Sequence, residues 1–284
     1  MSKGSDLESS SASLRPALAR DDAPTVIAIA ILAFVLADFA HEVFGHGIGF
    51  LVAGGKSCIL TTTRLIADHP SLGDFRSRIF DLGGPFGNLA FAALAWLAQR
   101  LLKRPAPALR LLLWLLMAFS LFWGFGYLIS CGVLARGDWF ALIRGVTPVW
   151  LWRILFVAVG IVLYRGSMKL SAAELHRIVP ASGTEWQFRV RRLVLTSYLA
   201  GGLIACAGAT FDPRGAIEML NSGAASSFLA ALGLLRTPRL FRGLPDKPVV
   251  SDSIVNRNHG WILAAAIVSI FYIAILGPGV KVEF

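Results

Sequence analysis

Charged residues are scarce in this 284-residue chain. Asp, Glu, Lys and Arg make up 15% of it and hydrophobic residues 56%, whereas soluble domains average about 25% and about 45–50%. This composition excludes an ordinary soluble globular protein. The three cysteines, Cys58, Cys131 and Cys206, are too few and too scattered for a disulfide framework or for a cysteine-rich zinc or iron–sulfur site. We therefore expect an integral, multi-pass membrane protein, in a plasma or inner membrane.

The net charge of +10 does not require a nucleic-acid partner. The Lys and Arg residues form short clusters between long apolar stretches, where membrane proteins carry their orientation signals. We expect the lipid bilayer as the surroundings and no nucleic acid. No feature of the sequence specifies an oligomeric state.

Apolar stretches long enough to cross a bilayer, about 20 residues as helix, predict an all-α polytopic fold with about six or seven transmembrane helices. The stretches are 24–53, 79–102, 108–134, 148–164, 193–210, 216–235 and 260–278. The sixth is the weakest because it contains Glu218 and Asn221, so it is interpreted either as a span or as a re-entrant helix. Residues 1–23, rich in Ser and mixed charge, predict a disordered tail. Two basic loops are expected at 165–192 and 236–259.

A β-branched run follows the first apolar stretch. Residues Cys58–Ile66, before a Pro- and Gly-containing turn, predict a short strand or hairpin rather than a helix. Such a strand offers an edge to which an extended peptide can pair.

The first apolar stretch contains the sequence AHEVFGH, which places His41, Glu42 and His46 within a membrane helix. Ionisable groups there are costly unless they are paired or bound to a metal. The pattern is one residue longer than the H-E-x-x-H zinc box, in which two histidines bind the metal and the Glu is a general base. The alternative is a pair of histidines that serves helix packing alone.

The extra residue has a geometric consequence. On a regular helix, His41 and His46 are about 140° apart around the axis and would not converge. A π-bulge absorbs one extra residue, and Gly45 lies within the interval. The sequence therefore predicts a local π-bulge that brings the two imidazoles to one face. The longer box also resembles the zinc motif of the dipeptidyl-peptidase III class.

Two further elements add polar side chains. In DLGGPFGN, the Gly83-Gly84-Pro85 run is expected to interrupt the second helix, and Asn88 either contacts a substrate carbonyl or caps a closely packed helix. Asp138, after the third helix, is either a third metal ligand or an ordinary helix cap. Antiparallel connections place both in the same leaflet as the histidines. His69, in the loop, is an alternative ligand or simply solvated.

This order of motifs resembles the three-helix core of the site-2 protease-like intramembrane metallopeptidases, over roughly residues 30–145. The resemblance implies a catalytic membrane core over 24–145, with further transmembrane helices and basic loops over 146–284. It implies Zn²⁺ held by His41, His46 and Asp138, Glu42 as catalytic base and Asn88 as a catalytic, substrate-positioning residue. The expected function is hydrolysis of peptide bonds in a membrane-embedded or membrane-tethered peptide or protein. The alternatives are a non-catalytic metal- or partner-binding relative and, less favoured, a transporter with a histidine and carboxylate ion path.

Two arguments about orientation disagree. In the seven-span arrangement 18 of the 27 Lys and Arg residues lie on the N-terminal side, which predicts a cytoplasmic N-terminus and a site that opens outward. The family resemblance implies a site that opens toward the cytoplasm. In an arrangement without the sixth span, the two sides carry nearly equal numbers of basic residues and the charge argument loses its force.

Overall fold

The computed structural model describes residues 20–67, 74–179, 183–241 and 254–284. Most of these residues are helical. The helices of the first two thirds are α1 (Ala23–Phe39), continued by a π-helical turn (Ala40–His46) into α2 (Gly47–Val52), then α3 (Asp74–Leu101), α4 (Pro107–Leu134), α5 (Asp138–Leu142), α6 (Val149–Ile178) and α7 (Gly183–Thr210). Most of the predicted tail and His69 lie outside the described residues.

Among the described residues, five helical stretches are long and apolar enough to cross a membrane. They are Ala23–Val52, Pro107–Leu134, Val149–Ile178, Gln187–Thr210 and His259–Leu276. The chain is thus a mainly helical protein with several candidate membrane spans, as the composition predicts.

The predicted basic loop at 165–192 is wrong. Helix α6 continues to Ile178 and α7 starts at Gly183. The second half of α6 is amphipathic, so its charged residues do not end the helix. Glu174 is buried, but its Oε1 accepts hydrogen bonds from Arg100 Nη2 at 2.5 Å and Trp96 Nε1 at 3.1 Å, both on α3. These partners let α6 pack a carboxylate against α3.

The sixth predicted span is an irregular helix, which we call the broken segment (216–241). It consists of α8 (Ala216–Glu218), a π-helical stretch (Met219–Phe228), a 3-10 turn (Ala230–Leu232), α9 (Gly233–Arg236) and a second 3-10 turn (Thr237–Phe241). Tyr164 of α6 supports the irregular part: its hydroxyl donates to the Ala230 carbonyl at 2.6 Å and accepts from the Gly233 N–H at 2.7 Å.

The last helix, α10 (His259–Ile270), continues into a π-helical stretch (Phe271–Leu276) and runs parallel to α1. Near its start, the Asn258 N–H donates to Thr25 Oγ1 at 3.0 Å. Near its end, the Tyr272 ring lies 6.5 Å from the ring of Phe39 at the end of α1, and its hydroxyl donates to the Thr62 carbonyl at 3.3 Å. The start of α1 and the metal-motif end of α1 therefore both contact the last helix.

A three-stranded sheet lies beside the π-helical turn. Strands β1 (Ser57–Leu60) and β2 (Leu65–Ala67) form the predicted antiparallel hairpin. The third strand, β3 (Val280–Glu283), was not predicted, although its alternation of valine and charged residues is typical of a strand. It pairs antiparallel with the other edge of β1 and gives the order β2-β1-β3. Because β1 is the central strand, β2 and β3 form the two edges of the sheet. The β2 edge lies near His41 and His46, since Leu65 of β2 lines the same cavity.

Candidate metal centre

The predicted π-bulge is confirmed. Residues Ala40–His46 form one π-helical turn between α1 and α2. The wider turn absorbs the extra residue of the H-E-x-x-x-H pattern, so the rings of His41 and His46 meet edge to face with centroids 4.8 Å apart.

Glycines let α3 approach this turn closely. A Cβ on Gly45 would come within 2.7 Å of Gly84 Cα, and a Cβ on Gly84 would lie 2.6 Å from His41 Nε2. The expected interruption at Pro85 is wrong, since α3 runs unbroken from Asp74 to Leu101. The glycines serve close packing instead, which was the alternative interpretation of this motif.

Asp138 completes the cluster from the start of α5. Gly137, with a φ of 92°, precedes it in a backbone conformation that favours glycine. The Asp138 side chain does not cap the helix. Its Oδ2 lies 3.1 Å from His41 Nε2 and 3.2 Å from His46 Nε2. The three ligand atoms all lie within 4.8 Å of one another.

Hydrogen bonds fix which nitrogen of each imidazole faces Asp138. The His46 Nδ1–H donates to the Phe80 carbonyl at 2.9 Å. Asn88 Nδ2 donates to the Ala37 carbonyl at 2.8 Å, so Asn88 Oδ1, at 2.8 Å from His41 Nδ1, is the acceptor of the His41 Nδ1–H. In a neutral imidazole the other nitrogen then carries a lone pair. Both Nε2 atoms present lone pairs to Asp138.

Three lone-pair atoms that converge in a buried place repel one another unless a positive charge lies among them. Protons on both rings would supply it at the cost of two buried imidazolium ions. One divalent cation satisfies all three atoms, and two imidazoles with a carboxylate are a ligand set that zinc accepts. The residues present therefore fit the metal that the sequence predicts.

Electrostatics favour an ionised Asp138. Burial by itself raises the pKa of the Asp138 carboxyl, but protonation of His46 and His41, the alternative to a cation among the three atoms, holds that pKa well below its usual range. The carboxylate is thus available as a ligand at neutral pH.

Glu42 lies between the two histidines in sequence and borders the same cavity. Only 4% of the residue is exposed. The backbone N–H of Leu65 on β2 contacts its carboxylate, whereas Oε2 has no hydrogen-bond partner in the described part of the chain. Glu42 therefore lies beside the cluster with a buried carboxylate oxygen that no described protein donor occupies.

A cavity of about 280 Å³ opens onto these groups. Its walls come from the π-helical turn, the β1–β2 loop, the end of α4 and the start of the broken segment. The polar residues that line it, besides the cluster, are Thr62, Thr63, Arg64, Ser130, Arg136, Arg214, Glu218, Asn221, Ser222, Ser226 and Ser227.

Several supporting residues escaped the sequence analysis. Trp123 of α4 stacks on the His41 ring, with centroids 5.6 Å apart and planes within 3°. Asp38, one turn before Glu42, is 2% exposed and interacts with the Tyr272 hydroxyl. Asp38 is an acidic residue in an apolar helix, which is a signal in the sequence. Trp123 has no such signal, because aromatic residues are common in membrane helices.

The chain matches no protein-family model, no curated protein and no solved structure. The likeness to the site-2 protease-like peptidases rests on the order and spacing of the motifs.

Proposed function

We propose that the protein is an intramembrane zinc metallopeptidase that hydrolyses peptide bonds of membrane-embedded or membrane-tethered substrates. The observation that carries the proposal is the convergence of His41 Nε2 and His46 Nε2 on one oxygen of Asp138, at 3.1 and 3.2 Å. Glu42 borders the same cavity, and its Oε2 has no hydrogen-bond partner among the described residues. A metal site and an adjacent proton acceptor are the two requirements of metal-assisted hydrolysis.

The chemistry divides between metal and protein. Zinc, when bound, acts as a Lewis acid toward a carbonyl oxygen and lowers the pKa of water. Glu42 accepts the proton of the attacking water and returns it to the leaving amine. Phe80 and Asn88 hold the imidazoles in the tautomer that leaves Nε2 free. The predicted contact between Asn88 and a substrate stays a prediction. In the structure, both polar groups of the Asn88 side chain are engaged with His41 and Ala37.

The outer edge of β2 provides a way to position a peptide. Leu65 lines the cavity and its N–H contacts Glu42. A substrate segment that adds to β2 as an extended strand would pass its backbone beside the catalytic groups. A membrane helix has to unwind locally to do so.

The decisive experiment is the Glu42→Gln substitution. We expect the purified variant to retain about one zinc per chain, because the ligand atoms are unchanged, and to lose hydrolysis of membrane-tethered test peptides, because the amide cannot accept a proton. Metal analysis of the detergent-solubilised protein and a peptide-cleavage assay measure the two properties separately.

The matched variants are His41→Ala and His46→Ala, for which we expect loss of zinc together with activity. Zinc loss in Glu42→Gln would contradict the proposal by making Glu42 a ligand. Full activity in Glu42→Gln would remove its role as base.

Two other functions use the same residues. A non-catalytic binding protein would hold zinc and cleave nothing in either form, and a transporter need not hold zinc at all. Two histidines and a carboxylate also bind iron in oxygenases, so the metal analysis has to identify the element. Glu42 borders the cavity beside the cluster, and a carboxylate there favours hydrolysis over these alternatives because it can accept a proton from water.

A further inference from the structure

Arginines surround the mouth of the metal cavity. Arg64 comes from the β1–β2 loop, Arg136 from the connection between α4 and α5, and Arg214 from the residues before α8; all three line the cavity. A wall with three guanidinium groups is unusual for a site whose substrates are expected to be apolar membrane segments.

The acidic partners do not balance these three charges. Asp212, whose side chain is fully buried, lies 3.4 Å from Arg64 Nη2 and 3.6 Å from Arg214 Nε. Glu218 pairs with Arg214. Two carboxylates are thus shared between two arginines, and one arginine remains.

Arg136 is that remaining charge. Its described polar contact is with a neutral group: Nη2 donates to Asn221 Oδ1 at 3.1 Å, and both residues line the cavity. Within the described ranges no carboxylate oxygen lies within ion-pair distance of its guanidinium. Arg136 is also only two residues before Asp138, so its position is tied to the metal cluster.

Arg64 has unused donor capacity as well. In the described part of the molecule its Nε is buried and has no hydrogen-bond partner. Its neighbour Leu65 contacts Glu42. Arg64 and Arg136 thus line the same cavity as the cluster, and in sequence one precedes a residue that contacts the proposed base and the other lies two residues before the proposed ligand Asp138.

The charges of the cluster cancel once a metal is present. A divalent cation neutralises Asp138 and Glu42, so the surplus positive charge at the mouth acts on whatever enters. A guanidinium group with free donors binds a carboxylate with directed, charge-assisted hydrogen bonds.

We propose that the cavity selects a peptide segment that carries an acidic side chain, Asp or Glu, close to the bond that is cleaved, and that Arg136, together with Arg64, binds this carboxylate. The proposal rests on the proposed function and narrows its substrate class. An endopeptidase cleaves within a chain, so the carboxylate near the cleaved bond belongs to an Asp or Glu side chain and not to the end of the peptide.

Binding of short peptide hydroxamates tests the proposal without cleavage. The hydroxamate group binds the metal, and the probes Ac-Glu-Ala-NHOH and Ac-Ala-Glu-NHOH are compared with their Gln counterparts by calorimetry on the full-length, zinc-loaded protein. At one or both positions we expect the Glu probe to bind about tenfold more tightly than the Gln probe, as a charge-assisted hydrogen bond on a partly exposed arginine allows.

Three variants assign the preference. Arg136→Gln should reduce it to less than about threefold, and Arg136→Lys should retain part of it. Lys103→Gln removes one exposed positive charge at the far end of α3 and should leave the preference unchanged. Arg64→Gln should weaken the Glu probe more than the Gln probe.

The outcomes are distinguishable. Equal binding of Glu and Gln probes at both positions, with zinc-dependent binding of each, overturns the acidic-substrate proposal and leaves the metal site standing. A preference that survives Arg136→Gln overturns the assignment to Arg136. Hydroxamate binding that does not depend on zinc would instead count against the proposed function itself.

Discussion

The amide of Asn88 determines which nitrogen of His41 faces the metal cluster. Asn88 is fully buried, and its Nδ2 is committed to the Ala37 carbonyl. Its oxygen must therefore face His41 Nδ1 and accept the ring proton there. Partners of this kind usually change metal affinity by about 10- to 100-fold, because they fix tautomer and orientation.

We expect Asn88→Ala to lower zinc affinity by about 10- to 100-fold while leaving the helices folded. Competition with a chelator of known affinity measures the change. Asn221→Ala is the matched control: Asn221 lines the cavity but contacts Arg136 rather than either histidine. Equal zinc affinity in Asn88→Ala and the unaltered protein would show that Trp123 and the helix backbone position His41 without the amide.

At the scale of elements, the π-helical turn and α3 form one unit. The turn widens the helix so that both imidazoles share a face, and the glycines of α3 let a second backbone lie directly against that face. A side chain at Gly84 would occupy the space of the histidine ligands, and one at Gly83 or Gly87 would overlap the backbone of the π-helical turn. Metal binding therefore depends on the glycines of α3, although these residues have no side chain that could bind a metal.

We predict that Gly84→Ala abolishes zinc binding, because the new methyl group would lie 2.6 Å from His41 Nε2. The control is Gly166→Ala in α6, where an added Cβ meets no atom within 4 Å. Zinc content and thermal unfolding should be compared for both variants. Normal zinc content in a folded Gly84→Ala protein would contradict the packing of α3 on the π-helical turn.

At the scale of the whole molecule, the path of the broken segment bears on orientation. It starts at the metal cavity with Glu218 and Asn221, and continues past Tyr164 in the middle of α6. The next described residues, near Val255, contact Asp22 at the start of α1. The chain has by then passed from the cavity end of the bundle to the opposite end. This path supports the arrangement in which 18 of the 27 Lys and Arg residues lie at the end opposite the cavity.

We therefore expect the cavity to open outward and Lys103 to be cytoplasmic. Two single-cysteine proteins, Lys103→Cys and Lys56→Cys, made in a background without the three native cysteines, test this with a membrane-impermeant thiol reagent on intact cells. Lys56→Cys should react and Lys103→Cys should react only after the membrane is opened. The reverse pattern would favour the cytoplasmic opening that the family resemblance implies.

Patterns within short segments of the sequence predicted most of the elements near the site. The apolar stretches predicted most helices, the β-branched run predicted the hairpin, and the spacing of His41 and His46 predicted the π-helical turn. Contacts between distant segments left no local signal. The pairing of Glu174 with Arg100 extended α6 beyond its apolar stretch, and the stacking of Trp123 on His41 depends on how α1 and α4 pack.

Strand β3 has a consequence for the timing of synthesis. The sheet beside the cavity is completed only when Val280–Glu283 pair with β1, and the Phe284 N–H then donates to the Lys56 carbonyl at 2.9 Å. These residues follow all the described helices in the chain, so the hairpin that carries Leu65 lacks one neighbour until they have been synthesised. The sheet beside the cavity therefore joins an early and the latest described part of the chain, and its third strand is made only after the helices that surround the cavity.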